Sequence, residues 1–120
     1  MDHRTTTSPR TALELGAALQ SGALDAERLA EQTLAAIEAV DMPGLFTRIS
    51  AGRARAEAKA AAARLKAGRA ASPLDGVPIA WKDLFDLEGE VTTAGARVLA
   101  SAVPAQADAP VVAALKAAGM

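Results

Sequence analysis

The sequence predicts an α/β fold in which an N-terminal helical layer is followed by the first strands and the next helix of a sheet. Residues 1–71 contain apolar side chains at three- and four-residue steps, the spacing that places them on one face of a helix. Residues 72–120 begin with a turn and a compact apolar run, the pattern of a buried strand. We therefore predict one domain, mainly helical before residue 72, that is incomplete as given.

The composition indicates a folded protein without a strong electrostatic partner. Of the 120 residues 51% are hydrophobic, enough for a buried core, although only 2% are aromatic and alanine supplies much of the total. The net charge of -1 favours neither nucleic acid nor an anionic membrane as a partner. The absence of cysteine fits the cytoplasm, and no stretch approaches the roughly 18 apolar residues of a membrane span.

Two helices are predicted at the start of the chain. The first runs from Thr11 to Gln20, and Gly22 follows at a position where glycine commonly ends a helix. Asp25 is the predicted N-cap of the second helix, because its carboxylate can accept hydrogen bonds from the free amides of the first turn. The second helix ends at residues 42–44, Met-Pro-Gly, since proline lacks the amide hydrogen that a helix needs.

A short strand and a third helix are predicted next. Residues 45–49, Leu-Phe-Thr-Arg-Ile, form a β-like run. Ser50 is the predicted cap of a helix from Ala51 to Ala67, which Gly68 ends. We interpret the charged flank of this helix as a solvated surface without a function of its own.

A second strand is predicted over residues 77–81, after a turn at residues 74–76. The strand would deliver two polar residues, Lys82 and Asp83, at its C-terminal end. Because proline cannot donate a hydrogen bond to a ladder, Pro78 places this strand at an edge or delays regular pairing until after it.

A loop and a helix complete the chain. The loop at residues 88–96 contains glycine and threonine, and a short segment at residues 98–99 follows it. The last helix has Asp108 as its predicted N-cap and Pro110 in its first turn. Strand, connection and helix form the start of a crossover unit, which would normally return into a second parallel strand after Met120.

The residues around Lys82 carry a specific pattern. Residues 72–95 read Ser-Pro-Leu-Asp-Gly-Val-Pro-Ile-Ala-Trp-Lys-Asp-Leu-Phe-Asp-Leu-Glu-Gly-Glu-Val-Thr-Thr-Ala-Gly. This stretch resembles the first block of the amidase signature family, in which a Pro-Leu-x-Gly-(Val/Ile)-Pro run leads to a strand ending in Lys-Asp and then to a Gly-x-x-Thr-Thr-x-Gly loop. The resemblance extends from about Leu24 onward. One departure is Ala96, where many members have serine.

The resemblance implies an enzyme with a Ser–cis-Ser–Lys triad on a large mixed sheet flanked by helices, with residues 72–120 as the start of the catalytic core. By position Lys82 matches the family's lysine, which acts as the base. A base must be neutral to accept a proton, so Lys82 is expected to be buried at the end of its strand. The family carries both serines in a glycine- and serine-rich segment downstream of the lysine, and none of the serines here lies in such a segment: Ser8, Ser21, Ser50, Ser72 and Ser101.

Other polar residues of this block have simpler interpretations. Asp83 and Asp86 lack a clustered histidine or third carboxylate, so we interpret them as structural partners of backbone amides and predict no metal site. Gly89 and Gly95 do not form a phosphate-binding loop, since no Gly-Lys-Ser/Thr follows them.

We therefore predict the N-terminal part of an amidase that hydrolyses carboxamide C–N bonds, with Lys82 as the base and both serines missing from this chain. The 120-residue chain alone is expected to be inactive. Its expected partner is a small-molecule amide, without a cofactor, and a homo-oligomer is one of the expected states. The substrate-binding residues are not identifiable. Two alternatives stay open: a glutaminase-type subunit of a tRNA-dependent amidotransferase, and a non-catalytic, truncated helical interaction module.

Overall fold

The computed structural model describes residues 10–120; the part of the predicted helical layer at residues 1–9 lies outside the described residues. All four predicted helices are present, and residues 97–99 form a short 3₁₀ helix. The elements in chain order are α1 (Ala12–Gln20), α2 (Ala26–Glu38), α3 (Ala51–Lys66), the 3₁₀ helix (Arg97–Leu99) and α4 (Pro110–Ala117). The grouping of these elements into one incomplete domain stays a prediction.

The second helix begins at its predicted cap, Asp25, whereas Thr11, the predicted first residue of the first helix, is its N-cap. The Thr11 side chain accepts a hydrogen bond from the amide of Glu14 (3.2 Å), and the Glu14 carboxylate accepts one from the amide of Thr11 (2.7 Å), which makes a capping box. At α2 the Asp25 carboxylate accepts from the amide of Arg28 (2.9 Å). Both caps are local contacts, so a short stretch of sequence is enough to specify them.

Of the other two predicted caps, one is confirmed in position only and one is wrong. Ser50 stands at the N-cap position of α3, but its side chain makes no capping hydrogen bond. Ala109, rather than Asp108, stands at the N-cap position of α4. The Asp108 carboxylate binds Arg53 of α3 instead, at 2.6 and 2.8 Å, because the guanidinium group offers two parallel hydrogen bonds together with an opposite charge.

The core is formed by small side chains where α1, α2 and α3 meet the segment after residue 76. Because alanine side chains bury little apolar area, each contact in this core contributes only a modest free energy. From α4, Val112 is 1% exposed. The central buried cluster consists of Leu19, Ala26, Ala61, Ala62 and Val77.

The two predicted strands are wrong for the residues that the structure describes. Neither residues 45–49 nor residues 77–81 adopt strand structure. Within the described chain the amides of residues 79–83 donate no hydrogen bond. A strand forms only where a neighbouring segment supplies complementary backbone groups, and residues 10–120 place no such segment beside residues 77–81. The mixed sheet implied by the resemblance therefore stays a prediction.

A buried carboxylate fixes the turn before residue 77. Asp75 is 0% exposed and accepts hydrogen bonds from Arg64 Nε (2.9 Å), Arg64 Nη2 (2.7 Å) and the amide of Ala71 (2.8 Å). Burial opposes the ionisation of Asp75, but these hydrogen bonds and the charge of Arg64 outweigh it, so the pKa of Asp75 is lowered. The turn is thus tied to α3 by a hydrogen-bonded ion pair.

The same turn holds the C-terminal end of α4. The Ser72 hydroxyl donates to the carbonyl oxygen of Ala118 (2.6 Å), and the amide of Gly76 donates to the carbonyl oxygen of Gly119 (2.8 Å). Gly119 has φ 92°, and a side chain there would overlap the Asp75 carboxylate. Helix α4 therefore docks on the turn that leads into residues 77–82.

Among the described residues no helix is both long and apolar enough to cross a bilayer. The longest helix, α3, has 16 residues and includes arginine, lysine and glutamate side chains. The cytoplasmic location expected from the sequence stays a prediction.

Gly16 of α1 lies directly against the chain at Pro73. A methyl group at position 16 would overlap the carbonyl oxygen of Pro73, which belongs to the backbone and cannot rotate away. We expect Gly16→Ala to lower the free energy of unfolding by about 2 kcal/mol, because the cost of overpacking outweighs the gain of about 1 kcal/mol that alanine brings to a helix. Urea unfolding followed by circular dichroism measures this change.

Gly52→Ala is the matched control, because Gly52 lies in α3 and no heavy atom comes within 4 Å of an added methyl group. This variant should unfold at a slightly higher urea concentration than the parent chain. If Gly16→Ala were as stable as Gly52→Ala, the close approach of α1 to Pro73 would be contradicted.

Candidate functional site

Lys82 lies at the end of the segment that follows the buried Val77, and its side chain is exposed. The burial expected for a lysine base is therefore not provided by residues 10–120. Two serine hydroxyls make structural hydrogen bonds: Ser21 donates to Ala18 O (3.0 Å) and Ser72 donates to Ala118 O. Within the described residues no serine is hydrogen-bonded to Lys82, so the predicted triad role of Lys82 stays a prediction.

The backbone at Lys82 is held by the turn that follows it. The carbonyl oxygen of Lys82 accepts hydrogen bonds from the amides of Leu84 (2.7 Å) and Phe85 (3.2 Å). This turn brings the Phe85 ring against Trp81, edge to face, with the ring centres 5.5 Å apart. Lys82 thus projects from a folded turn rather than from an open loop.

Asp83 joins this turn to the threonine-bearing loop. Its carboxylate accepts hydrogen bonds from the amide of Thr93 (3.0 Å) and from the Thr93 hydroxyl. The side-chain and backbone hydrogen bonds from Thr93 lower the pKa of Asp83, so the carboxylate is ionised at neutral pH. The interpretation of Asp83 as a partner of a backbone amide is confirmed.

A second pair lies beside the first. The Thr92 hydroxyl donates to the Asp86 carboxylate (2.6 Å), and the carbonyl oxygen of Asp86 accepts from the amide of Ala109 (2.9 Å). Each of the two aspartates is therefore hydrogen-bonded to one of the two threonines. Sequence reasoning noted each residue but missed the pairing; the signal was an Asp-x-x-Asp spacing followed by two adjacent threonines.

The loop reverses direction directly after Thr93. Ala94 and Gly95 both have positive φ, 50° and 73°, as a type I′ turn requires, and the amide of Ala96 donates to the carbonyl oxygen of Thr93 (2.8 Å). Ala94 is unusual there, since a residue with a Cβ atom rarely adopts positive φ. A tight turn therefore directly follows the residue that is hydrogen-bonded to Asp83.

An ion pair anchors the far end of the loop. Arg53 holds the Asp108 carboxylate, whose Oδ1 also accepts from the amide of Glu88 (2.8 Å). The hydrogen bonds from Arg53 lower the pKa of Asp108 to about 2 and raise the pKa of Arg53. Arg48 forms a second ion pair with Glu90. The loop is therefore connected to α3 and to the residue before α4 as well as to the Lys82 turn.

A family model described as Amidase matches residues 28–120, which include Lys82 and both Asp–Thr pairs. The chain belongs to the amidase family. A glutamyl-tRNA(Gln) amidotransferase subunit from Anaeromyxobacter sp. (strain K) is 48% identical to this amidase-family chain over 107 residues, 88% of this chain and 22% of that protein. AtzE, which is a subunit of 1-carboxybiuret hydrolase in Pseudomonas sp. (strain ADP), is 43% identical over 108 residues, 89% of this chain and 24% of that protein.

Solved structures agree with this membership. A structure described as a vestigial protein complex that reveals the evolutionary origins of an s-triazine catabolic enzyme superposes with a TM-score of 0.86 and 41% identity, over 92% of this chain and 24% of that one. The amidase-family chain therefore spans about a quarter of the length of these relatives. Both curated relatives are named as subunits.

An apolar groove of about 220 Å³ runs along residues 77–81 of the amidase-family chain. Helices α2, α3 and α4 and the segment between α2 and α3 supply most of its other walls. Lys82 is not among the lining residues. The groove thus borders the segment that carries the lysine, and its apolar lining includes Leu34, Ile37, Phe46, Ile49 and Leu115.

Proposed function

We propose that this chain supplies the lysine-bearing part of an amidase active site and that Lys82 is the general base for hydrolysis of a carboxamide C–N bond. The observation that carries the proposal is the family match over residues 28–120, which contains the lysine block in the family's order and spacing. The turn at residues 82–85 supports it, because it fixes the Lys82 backbone while the side chain extends from it.

The proposed reaction has two proton relays and two bond exchanges. A neutral Lys82 amine takes a proton from a bridging serine, which takes one from the nucleophilic serine as its oxygen attacks the amide carbon. The C–N bond then breaks, and the proton passes to the leaving amine. Water then attacks the carbonyl carbon of the acyl-enzyme while the bridging serine and Lys82 take one of its protons; the ester C–O bond breaks, the acid leaves, and the proton returns from Lys82 to the nucleophilic serine. Both serines would come from residues outside this chain.

The exposure of Lys82 sets a requirement for this proposal. A base must be neutral to accept a proton, and burial in an apolar site favours the neutral amine. The groove along residues 77–81 lies next to the lysine and presents apolar side chains. A further part of an amidase domain that packed over these residues would supply the burial that the mechanism needs.

A glutaminase-type role is the second candidate. It is favoured by the 48% identity to a glutamyl-tRNA(Gln) amidotransferase subunit. The two candidates share the lysine chemistry and differ in the amide that they accept, so comparing hydrolysis of glutamine with hydrolysis of small carboxamides separates them. The relatives' names as subunits also support the proposal that the protein works in an assembly.

A chimeric enzyme tests the proposed function. The AtzE relative would receive this chain in place of its matched region, under conditions in which unmodified AtzE is active. We expect the chimera to hydrolyse 1-carboxybiuret within roughly tenfold of AtzE, because the turn and the lysine are retained. The isolated 120-residue chain should show only the background rate, since one lysine supplies neither nucleophile nor bridging serine.

Two results would contradict the proposal. A folded chimera without any hydrolysis would show that this chain does not supply a working lysine. Turnover by the repurified isolated chain that survives Lys82→Ala would show that its chemistry does not depend on the lysine. Circular dichroism and size-exclusion chromatography establish that the chimera is folded before either result is interpreted.

A further inference from the structure

The carboxylate nearest to Lys82 along the chain does not pair with it. Asp83 follows Lys82 directly, yet among residues 10–120 none of the ion pairs includes Lys82. An ionised carboxylate beside an ammonium group would hold the proton on the amine by electrostatic attraction. Such a contact would oppose the use of the lysine as a base, so what keeps Asp83 away from it matters for the chemistry.

Thr93 donates two hydrogen bonds to the Asp83 carboxylate. The amide of Thr93 donates at 3.0 Å, and the hydroxyl donates to the other carboxylate oxygen. The hydroxyl oxygen in turn accepts from the amide of Gly95 at 3.3 Å, which fixes the direction of its hydrogen towards Asp83. Both oxygens of Asp83 are thus directed at the loop.

The loop that carries Thr93 is held in place by further contacts on both sides of this residue. The tight turn at residues 94–95 follows Thr93 directly, with both residues at positive φ. Thr92 is tied to Asp86, and Asp86 is tied to the amide of Ala109 before α4. Because the loop is held at several points, a movement of Thr93 together with Asp83 towards Lys82 would break these contacts.

We propose that Thr93 is a positioning residue for Lys82, acting through Asp83: it binds the Asp83 carboxylate and thereby keeps it from pairing with the lysine ammonium group. The catalytic meaning of this role rests on the proposed function, but the contact itself can be tested without it. Thr92 and Asp86 form the adjacent pair and serve only to hold the loop.

The reactivity of Lys82 towards an acetylating reagent at one fixed pH measures the availability of its free amine in the 120-residue chain. Thr93→Val keeps the shape of the side chain and the amide that donates to Asp83 Oδ1, but it removes the hydroxyl, so the second carboxylate oxygen becomes free to pair with Lys82. We expect the acetylation rate of Lys82 to fall about two- to fivefold, the range that an exposed ion pair produces. Mass spectrometry of the peptides also measures the acetylation of Lys59 and Lys66 in the same sample, and these two lysines serve as internal references.

Three control variants make the test specific. Thr93→Ser retains the hydroxyl and should keep the parent rate. Thr92→Val removes the adjacent hydroxyl, and it should leave the rate at Lys82 unchanged. In a chain that already carries Asp83→Asn, Thr93→Val should have no effect, because the charge that would pair with the lysine is gone.

Circular dichroism has to detect unfolding of the variant, since Lys59, Lys66 and Lys82 are already exposed in the folded chain and their reactivity would not report it. In that case Thr93→Ala takes the place of Thr93→Val, and the same comparisons apply. The proposal is overturned if Thr93→Val leaves Lys82 as reactive as in the parent chain, or if the decrease persists in the Asp83→Asn background.

The chimeric enzyme supplies a second measurement. There Thr93→Val should lower kcat about two- to fivefold with KM nearly unchanged, because the fraction of neutral lysine falls while substrate contacts stay. Thr93→Ser should restore kcat. An inactive parent chimera would refute the proposed function alone, since the acetylation result is obtained without catalysis; an active chimera that is unaffected by Thr93→Val would refute the role of Thr93 alone.

Discussion

Replacing Lys82 with alanine in the chimeric enzyme should lower kcat for amide hydrolysis by roughly 10³-fold or more. A general base in a relay cannot be replaced by water without loss of most of the catalysis, and removing one member of such a relay costs about as much as removing the whole. Initial rates at saturating substrate give kcat, and the acylation step can be followed separately in a single turnover.

Lys82→Arg separates the base from a simple positive charge. Arginine keeps the charge, but its guanidinium group does not release a proton at working pH, so it cannot accept one from a serine. We expect this variant to be nearly as inactive as the alanine variant. Activity near the parent rate in a well-folded Lys82→Arg enzyme would show that Lys82 acts only electrostatically and that the role assigned to it is wrong.

Lys59→Arg is the matched control for this experiment. The charged side of α3 is not merely a solvated surface, since Arg53 and Arg64 bind Asp108 and Asp75, but Lys59 of the same helix is exposed, and the same exchange there should leave kcat and KM unchanged. The comparison removes any general effect of adding a guanidinium group to the chain.

Arg64→Met should cost about 3 kcal/mol of the free energy of unfolding at pH 7. The exchange keeps most of the side-chain volume but leaves the fully buried Asp75 carboxylate without a counter-charge and without two of its three hydrogen bonds. Because the free energy of unfolding of a small domain is only about 5–15 kcal/mol, this loss is a large fraction of the protein's stability. Urea unfolding at several pH values measures it.

The pH dependence of Arg64→Met should be opposite to that of the parent pair. In the parent the folded-state pKa of Asp75 lies below its ordinary value of 3.8, so the stability that the pair contributes is present above that value and is lost as the pH falls. Without Arg64 the burial of Asp75 dominates and raises its pKa, so the folded variant takes up a proton more readily than the unfolded chain. The difference between parent and variant should therefore shrink as the pH falls from 7 towards 4.

Arg55→Met provides the control for the charge itself. Arg55 pairs with Glu31 on the surface, where both side chains are more than half exposed, so its loss should change stability little. If Arg64→Met were no less stable than Arg55→Met at pH 7, Asp75 would not depend on Arg64 in the way the structure indicates.

The parts of the fold that depend on local contacts were predictable from the sequence. The helices were predicted, and so was the cap at Asp25, because its partner lies three residues away. Asp108 was misassigned because its true partner, Arg53, is 55 residues distant in the chain and competes with the local cap. The predicted strands failed for a related reason, since pairing needs a second segment and not a favourable sequence alone.

The candidate site was predictable as a set of residues but not as an arrangement. The motif singled out Lys82, and the interpretation of Asp83 as a structural acceptor was correct. The pairing of Thr93 with Asp83 and of Thr92 with Asp86 was missed because it joins residues that are ten and six positions apart in a segment without regular secondary structure. The expected burial of Lys82 would depend on residues outside 10–120.

The unpaired amides of residues 79–83 give this chain a means of joining other polypeptide that does not depend on side chains. Nearly every amino acid offers the same backbone hydrogen-bonding groups. A strand that paired with these amides could therefore change its side chains without losing the backbone hydrogen bonds. Proline is the exception, and the chain already has one at position 78, outside this row of amides. A joint formed through these amides would stay constant while the sequences on either side of it changed.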